Sequence, residues 1–525
     1  MAINQRKAGS ILSYLQIILS NTVALIYTPF MLRLLGQSEY GLFGTANSLT
    51  SYLSLFSFGV AGAYIKFNIS ARHSENKDEE AKVNGIFFII YSIISGLVLI
   101  TGIIFTFLAK PIFGNALSGS ELLEIRFVIL CTTIQYVITF MFNTVTMAMQ
   151  AYEKFVFLRV VLLLSNILQP ILNVVVLHFY AKAISISICN LVVSIATYLL
   201  FFAYSKKVLK MQYCFKNLDK SLIKGIFVFS SFLFLNTIAD QITGSTDTLL
   251  LGSLAGTAAV AIYTVGTQFG NYFMSFSTAI SGVFAPQVNQ IVAKDKNDDK
   301  SLNDVFVRIG RVQFLVVSFI LIGFIFFGHQ FINLWAGENY GLTSYIIAVL
   351  LLLSLYVPLF QNVGIEIQKA KNMHKARSIV YLLIAIVNVV FTIVVILLCK
   401  YYFPNDLESF KKYASIGAVF VTFVCRLLGQ GIFMNIYYHK KVGLDMIEFW
   451  KNILFMTVPV VITFLIGIAL NKLIINNSFI WLFLKIAIYT IIYSIFMWLF
   501  AMNKYEKEMI IKPVKTIFNK MENKI

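Results

Sequence analysis

The sequence predicts an all-α membrane protein of about fourteen transmembrane helices, and three observations predict it. Hydrophobic residues fill 58% of the 525 positions and charged residues 13%, with a mean hydropathy of +0.80. That leaves too little polar surface to coat a water-soluble globule. Apolar runs of more than about 18 residues, the length of a membrane crossing, recur from end to end. Lys and Arg gather in alternate short segments between those runs, as the positive-inside rule requires.

Spans 1 to 7 are Ile11–Leu35, Gly41–Ile65, Gly85–Leu108, Leu123–Met149, Phe155–Phe179, Ala183–Tyr204 and Gly225–Leu251. Spans 8 to 14 are Thr257–Phe284, Phe306–Trp335, Thr343–Ile367, Ser378–Cys399, Ala414–Tyr437, Trp450–Leu470 and Phe479–Met502. The opening stretch, with Arg6 and Lys7 before an apolar run, has the outline of a signal peptide. Its apolar part is too long and no small-x-small cleavage site comes after it, so it reads as span 1. With the N-terminus inside, 32 of the 42 Lys and Arg lie in inside segments or their helix ends. Eight lie outside, and Arg426 and Lys485 fall within spans. Both termini are therefore expected in the cytoplasm.

The +18 formal charge is explained by this topology and does not indicate nucleic acid, because the cations occupy loops and not one solvated face. The five cysteines and five histidines are scattered without ligand spacing, so no metal site, disulfide framework or cofactor is expected. No segment outside the spans is long enough to bury a core of its own. The longest are Ser205–Lys224, Gln287–Asp304 with its KDKNDDK run, and the Lys-rich Asn503–Ile525.

A shift of 220 residues lays Gly36–Phe56 on Gly256–Phe276 without gaps, pairing Gly36 with Gly256, Tyr52 with Tyr272 and Phe56 with Phe276. This places span 1 over span 7. It predicts two six-helix lobes related by a pseudo-two-fold, residues 1–204 and 225–438, joined by a cytoplasmic linker, 205–224. Residues 439–525 add spans 13 and 14 and the basic tail.

Polar residues inside the spans are the functional candidates, since an ionisable group in hydrocarbon costs about 2.5–3.5 kcal/mol or more unless it faces protein or water. Span 7 carries Asn236, Asp240, Thr243 and Asp247 at i, i+4, i+7 and i+11, one narrow stripe. Two readings stand: the acids line a watery cavity and bind a proton or Na⁺, or the helix ends near Ala239 and they sit in an outer loop. Span 5 sets Asn166, Gln169 and Asn173 on one face beside Pro170, either as interhelical glue or as sugar contacts. Arg426 lies near the middle of span 12 and Arg126 toward the outer end of span 4. Lys66, Arg159, Arg308 and Arg311 stand at inner ends, where snorkelling to lipid phosphate is the simpler expectation. No GxxxxGK[ST] phosphate loop and no TVGYG-like filter occurs. A secondary carrier fits what remains.

Three segments, TPFMLRLLGQSEYGLF (28–43), FGVAGAYIKF (58–67) and TDTLLLGSLAGTAAVAIYTVG (246–266), resemble those of polysaccharide and lipid-linked oligosaccharide flippases. That family is part of the multidrug/oligosaccharidyl-lipid/polysaccharide exporter superfamily. The resemblance implies alternating access in a bacterial plasma membrane and a cargo of undecaprenyl-diphosphate-linked sugar. It marks Pro29, Gly36, Glu39, Tyr40 and Gly41 at the first hairpin, Lys66 after span 2, and Asp247 in span 7. On this reading Arg426, Arg126 and Lys66 meet the diphosphate, and Asn236, Gln169 and Asn173 meet the sugar. Asp240 and Asp247 would couple to H⁺ or Na⁺, and the implied partners are membrane lipids and polysaccharide-assembly proteins. The cell-wall-precursor branch carries paired arginines in span 1. This chain has only Arg33 there, which points to a surface polysaccharide unit instead. An ion-coupled drug exporter of the same fold and a membrane-embedded oligosaccharide polymerase or ligase are the rival readings. Reporter fusions after Lys220 and after Lys524 should both report cytoplasm; an outside signal at either position overturns the topology.

Overall fold

A bilayer core offers the backbone no water, so each main-chain polar group must be satisfied within its own segment. The computed structural model describes residues 5–73, 77–114, 116–216, 220–295, 298–371, 373–473 and 478–522, and these hold helices and no strand. Eleven of the helical segments are long and apolar enough to cross a membrane. The first of them, Leu15–Arg72, takes in spans 1 and 2 together, and the others correspond to spans 3–6 and 9–14. Spans 7 and 8 form helices of 35 and 38 residues, Lys220–Leu254 and Thr257–Lys294, and are not among the eleven. The chain is a multi-pass membrane protein.

Contacts gather Met1–Val265 with Ser378–Val421 in one unit, and Gly266–Arg377 with Thr422–Ile525 in a second. In the first unit, the expected loop between spans 1 and 2 shrinks to a single residue. The helix runs from Gln5 to Thr50 and breaks at Gly36, with φ 73° and ψ 176°. Gly256, 220 positions on, separates spans 7 and 8 with φ 87°. Both values lie where a Cβ is strained, so each turn requires glycine. The two turns pack backbone against backbone. A Cβ on Gly41 would stand 1.8 Å from the Thr257 carbonyl oxygen, and one on Gly252 would stand 2.6 Å from the Thr45 methyl. Ser38 and Thr257 hydroxyls meet at 3.2 Å.

Glu39, marked by the family resemblance, fastens this turn to span 6. Its carboxylate accepts from the Lys182 ammonium and, at 3.0 Å, from the Ala183 amide. Lys182 also donates to Glu124 at 3.3 Å. At the other end of the unit, Tyr64, Phe87 and Tyr91 lie fully buried in one cluster. The Tyr64 hydroxyl donates to Asn84 Oδ1 at 2.7 Å, and Asn68 Nδ2 donates to the same oxygen at 3.2 Å. Asn84 in turn donates to the Gln212 carbonyl at 3.1 Å. The expected linker is therefore docked through its first half: Cys214 N bonds the Ala81 carbonyl at 2.8 Å, and only a glycine at position 85 admits the Cys214 carbonyl.

The second unit corrects the snorkelling expectation for Arg311. This guanidinium is buried and pairs with Glu506, Nε to Oε1 at 2.6 Å and Nη2 to Oε2 at 3.1 Å. It also donates to the Ala501 carbonyl at 2.8 Å. A pair taken out of water holds only when its remaining hydrogens find acceptors, and these do. Lys485, inside span 14, is likewise buried; its ammonium donates to Gln330 Oε1 at 3.0 Å and Asn471 Oδ1 at 3.4 Å.

Replacing Gly41 by Ala should lower stability by about 1–3 kcal/mol, since backbone faces the added methyl. Gly96→Ala, inside a helix and with nothing within 4 Å of its Cβ, should not lower stability and should raise it by up to about 1 kcal/mol. Thermal unfolding in detergent measures both.

Candidate functional site

In span 7 the outer-loop reading fails. The helix is unbroken from Lys220 to Leu254, so Asp240 and Asp247 are both intrahelical and not in an outer loop. The two acids lie two turns apart, ~10.5 Å by helix rise. Asp240 is exposed, Thr243 half-buried and Asp247 buried, so the stripe runs from open to enclosed. The side chain of Asn236 lies outside the described residues.

Asp247 is surrounded by oxygen from two other spans. The Tyr263 hydroxyl, on span 8, donates to its Oδ2 at 2.8 Å. The Thr392 hydroxyl, on span 11, lies 3.4 Å from Oδ1 and 3.0 Å from the Asn388 amide oxygen. Thr392 is fully buried and Asn388 nearly so. A ring of carboxylate, amide and hydroxyl oxygens suits a hard cation. The neighbouring face of span 7 is tied to the middle of span 2: Tyr52 and Thr246 hydroxyls meet at 2.6 Å, and Gln241 bonds Ser245 at 2.9 Å and the Ser51 hydroxyl.

The other candidates of this unit are dispersed. Asn173 is buried and donates to Asn190 Oδ1 at 3.0 Å, joining spans 5 and 6. Asn166 donates to Ser20 on span 1 at 2.9 Å. Gln169 is half-buried between them in sequence. Arg126 is half-buried in the helix Gly119–Met141. Lys66 is exposed, its ammonium 5.6 Å from the centre of the Phe67 ring.

In the second unit, Arg426 occupies a particular point of span 12. It is the last residue of the α-helical stretch Leu407–Arg426, and the next seven residues, Leu427–Phe433, form a π-helix. Such wide turns recur at functional sites because they leave backbone carbonyls to be satisfied by side chains. Asn435 does this here, bonding the Gly431 carbonyl with its Nδ2. Its Oδ1 accepts from Gln361 at 2.9 Å and from the Trp450 indole at 2.7 Å. Arg426 is half-buried, with Nη1 3.4 Å from the Ser354 hydroxyl of span 10.

Tyr263, Asn388 and Thr392 were not singled out in the sequence. Asn388 and Thr392 stand four apart within an otherwise apolar stretch of span 11, the same stripe signal that marked span 7. Tyr263 gave no such signal.

The comparisons agree with this architecture. The uncharacterized membrane protein EpsK of Bacillus subtilis (strain 168) is 21% identical over 520 residues, covering 94% of this chain and 95% of that protein. A Shigella flexneri protein described as an O-antigen transporter is 21% identical over 372 residues, 68% of this chain and 83% of its own length. Among solved structures, the lipid II flippase MurJ in an inward closed conformation superposes with a TM-score of 0.68 at 18% identity, over 93% of this chain and 97% of MurJ. An inward-facing multidrug resistance transporter of the MATE family, in the MOP superfamily, gives 0.55 at 14% identity, over 81% of this chain and 96% of its own. At these identities both structures establish the fold. The profile of the family described as polysaccharide biosynthesis protein matches residues 30–345, and the chain belongs to that family.

Proposed function

We propose that this protein is a secondary transporter that flips an undecaprenyl-diphosphate-linked oligosaccharide, a surface polysaccharide repeat unit, from the cytoplasmic to the outer leaflet. The family match carries this reading, and the fold shared with a lipid II flippase supports it. Both termini face the cytoplasm, and the membrane is the bacterial plasma membrane.

The physics of the cargo asks for such a protein. Each sugar hydroxyl left unpaired in hydrocarbon costs kilocalories, so unaided flipping is negligible. A polar path replaces water's hydrogen bonds while the polyprenyl tail stays in lipid. Arg426, Arg126 and Lys66 supply cations for the diphosphate, and an arginine grips phosphate with two parallel hydrogen bonds. Moving about two negative charges outward, with the inside negative, gains roughly 4–5 kcal/mol per 100 mV. The same field returns an empty cationic site inward.

Asp247 is the coupling residue in this proposal. Its carboxylate, with Tyr263, Asn388 and Thr392 around it, binds H⁺ or Na⁺ on the outer side and releases it inside. Asp240, the more exposed of the two, relays the ion.

Two measurements in vesicles test the scheme. Asp247→Asn should make residual transport independent of both pH and Na⁺ and slow it at least about ten-fold, the scale of losing one charged partner; unchanged ion dependence removes Asp247 from coupling. Arg426→Ala should nearly abolish transport while the protein still inserts, and Arg426→Lys should retain part of it because the charge stays and the planar fork is lost. Normal flipping by Arg426→Ala rules out its role with the diphosphate.

A further inference from the structure

The C-terminal helix, Lys504–Glu522, belongs to no membrane span, yet it is moored to one. Its first turn is locked by a reciprocal cap: Glu506 N bonds Asn503 Oδ1 at 3.0 Å, and Asn503 N bonds Glu506 Oε2 at 2.9 Å. Glu506 is 1% exposed in its ion pair with Arg311 of span 9. Two cation–ring contacts flank the pair, Arg308 at 4.7 Å from the Tyr505 ring and Lys507 at 5.6 Å from the Trp498 ring. The start of the helix is therefore fixed to the protein.

Beyond this mooring the helix has two characters. Met509 and Ile510 are left 39% and 51% exposed, with Ile511 half-buried beside them. Counting from Ile510, the sequence continues apolar at i+4, i+7, i+8 and i+11 with Val514, Ile517, Phe518 and Met521. Lys504, Ile511 and Lys515 stand at i, i+7 and i+11, so the two lysines share one edge of the apolar face. Both lysines are exposed. Lys512 points elsewhere and is taken by Glu508, at 2.8 Å. A helix emerging from the end of a membrane span with an apolar face edged by exposed lysines matches the charge and shape of one partner, the surface of an anionic bilayer.

We propose that Lys504–Glu522 lies in the membrane interface and binds anionic lipid headgroups through Lys504 and Lys515, with the Arg311–Glu506 pair as its fixed end. The side of the membrane it occupies rests on the topology proposed above; the binding does not.

The experiment uses the full chain in nanodiscs, which present the same lipid on both faces, so a wrong topology cannot imitate a failure. With the five native cysteines replaced, Ile510→Cys carries an environment-sensitive fluorophore, and lipids brominated along the chain serve as quenchers. In phosphatidylglycerol–phosphatidylcholine discs the label should be strongly quenched. In pure phosphatidylcholine, or in Lys504→Glu/Lys515→Glu, the docked-to-free ratio should fall more than ten-fold, from about five-fold per lysine. High salt should weaken docking in the same direction. Equal quenching in both lipid compositions, unchanged by the double variant, overturns recognition of anionic lipid. A blue-shifted but unquenched label means that the face packs on protein, and a label in water in every disc means that it packs on nothing; either overturns the interfacial placement.

Discussion

Everything in this protein depends on the cost of an unsatisfied polar group in hydrocarbon. The backbone meets that constraint by being helical among all the described spans. Side chains meet it by finding one another. Arg311 finds Glu506, Lys485 finds two amide oxygens, and Asn435 closes a carbonyl that a π-helix leaves open. The residues proposed for transport differ in degree: Asp240 and Lys66 are exposed, and Arg426 is only half-buried against a long contact to Ser354. Polar groups that hold the fold are enclosed, buried Asn173 among them, and the cations proposed to meet the diphosphate remain accessible. Asp247 lies between these classes, buried but with the Tyr263 and Thr392 hydroxyls beside its carboxylate.

Much of this was legible in the sequence because membrane constraints act locally. Length and hydropathy delimit a span without reference to any neighbour. The glycine turns were legible for a similar reason: Gly36 and Gly256 align in the 220-residue shift, and both adopt the left-handed conformation their turns demand. The stripe on span 7 was legible because helical periodicity alone puts Asp240 and Asp247 on one face. Whether that face lay within a helix or a loop was not, since TGSTDT offers weak helix formers and only packing against spans 2, 8 and 11 decides the matter.

The partners were hidden for the opposite reason. Thr392 reaches Asp247 across 145 residues and Glu506 reaches Arg311 across 195, and no periodicity encodes such a distance. Arg311 was expected to snorkel because its depth is all the sequence reveals. A carboxylate arriving from the Lys-rich tail could be inferred only from the folded chain. Likewise, the π-helix after Arg426 leaves no mark in the sequence beyond two glycines, Gly429 and Gly431.

The Arg311–Glu506 pair also sets a clock on biosynthesis. Translation at about 5–20 residues per second separates the two residues by roughly 10–40 seconds. Throughout that interval span 9 is inserted while its guanidinium has no carboxylate to meet. The second unit can thus pass through every span and still lack the closing contact until Glu506 has been made. A nascent chain stopped before Glu506 would leave the Arg311 guanidinium in span 9 without the carboxylate that pairs with it.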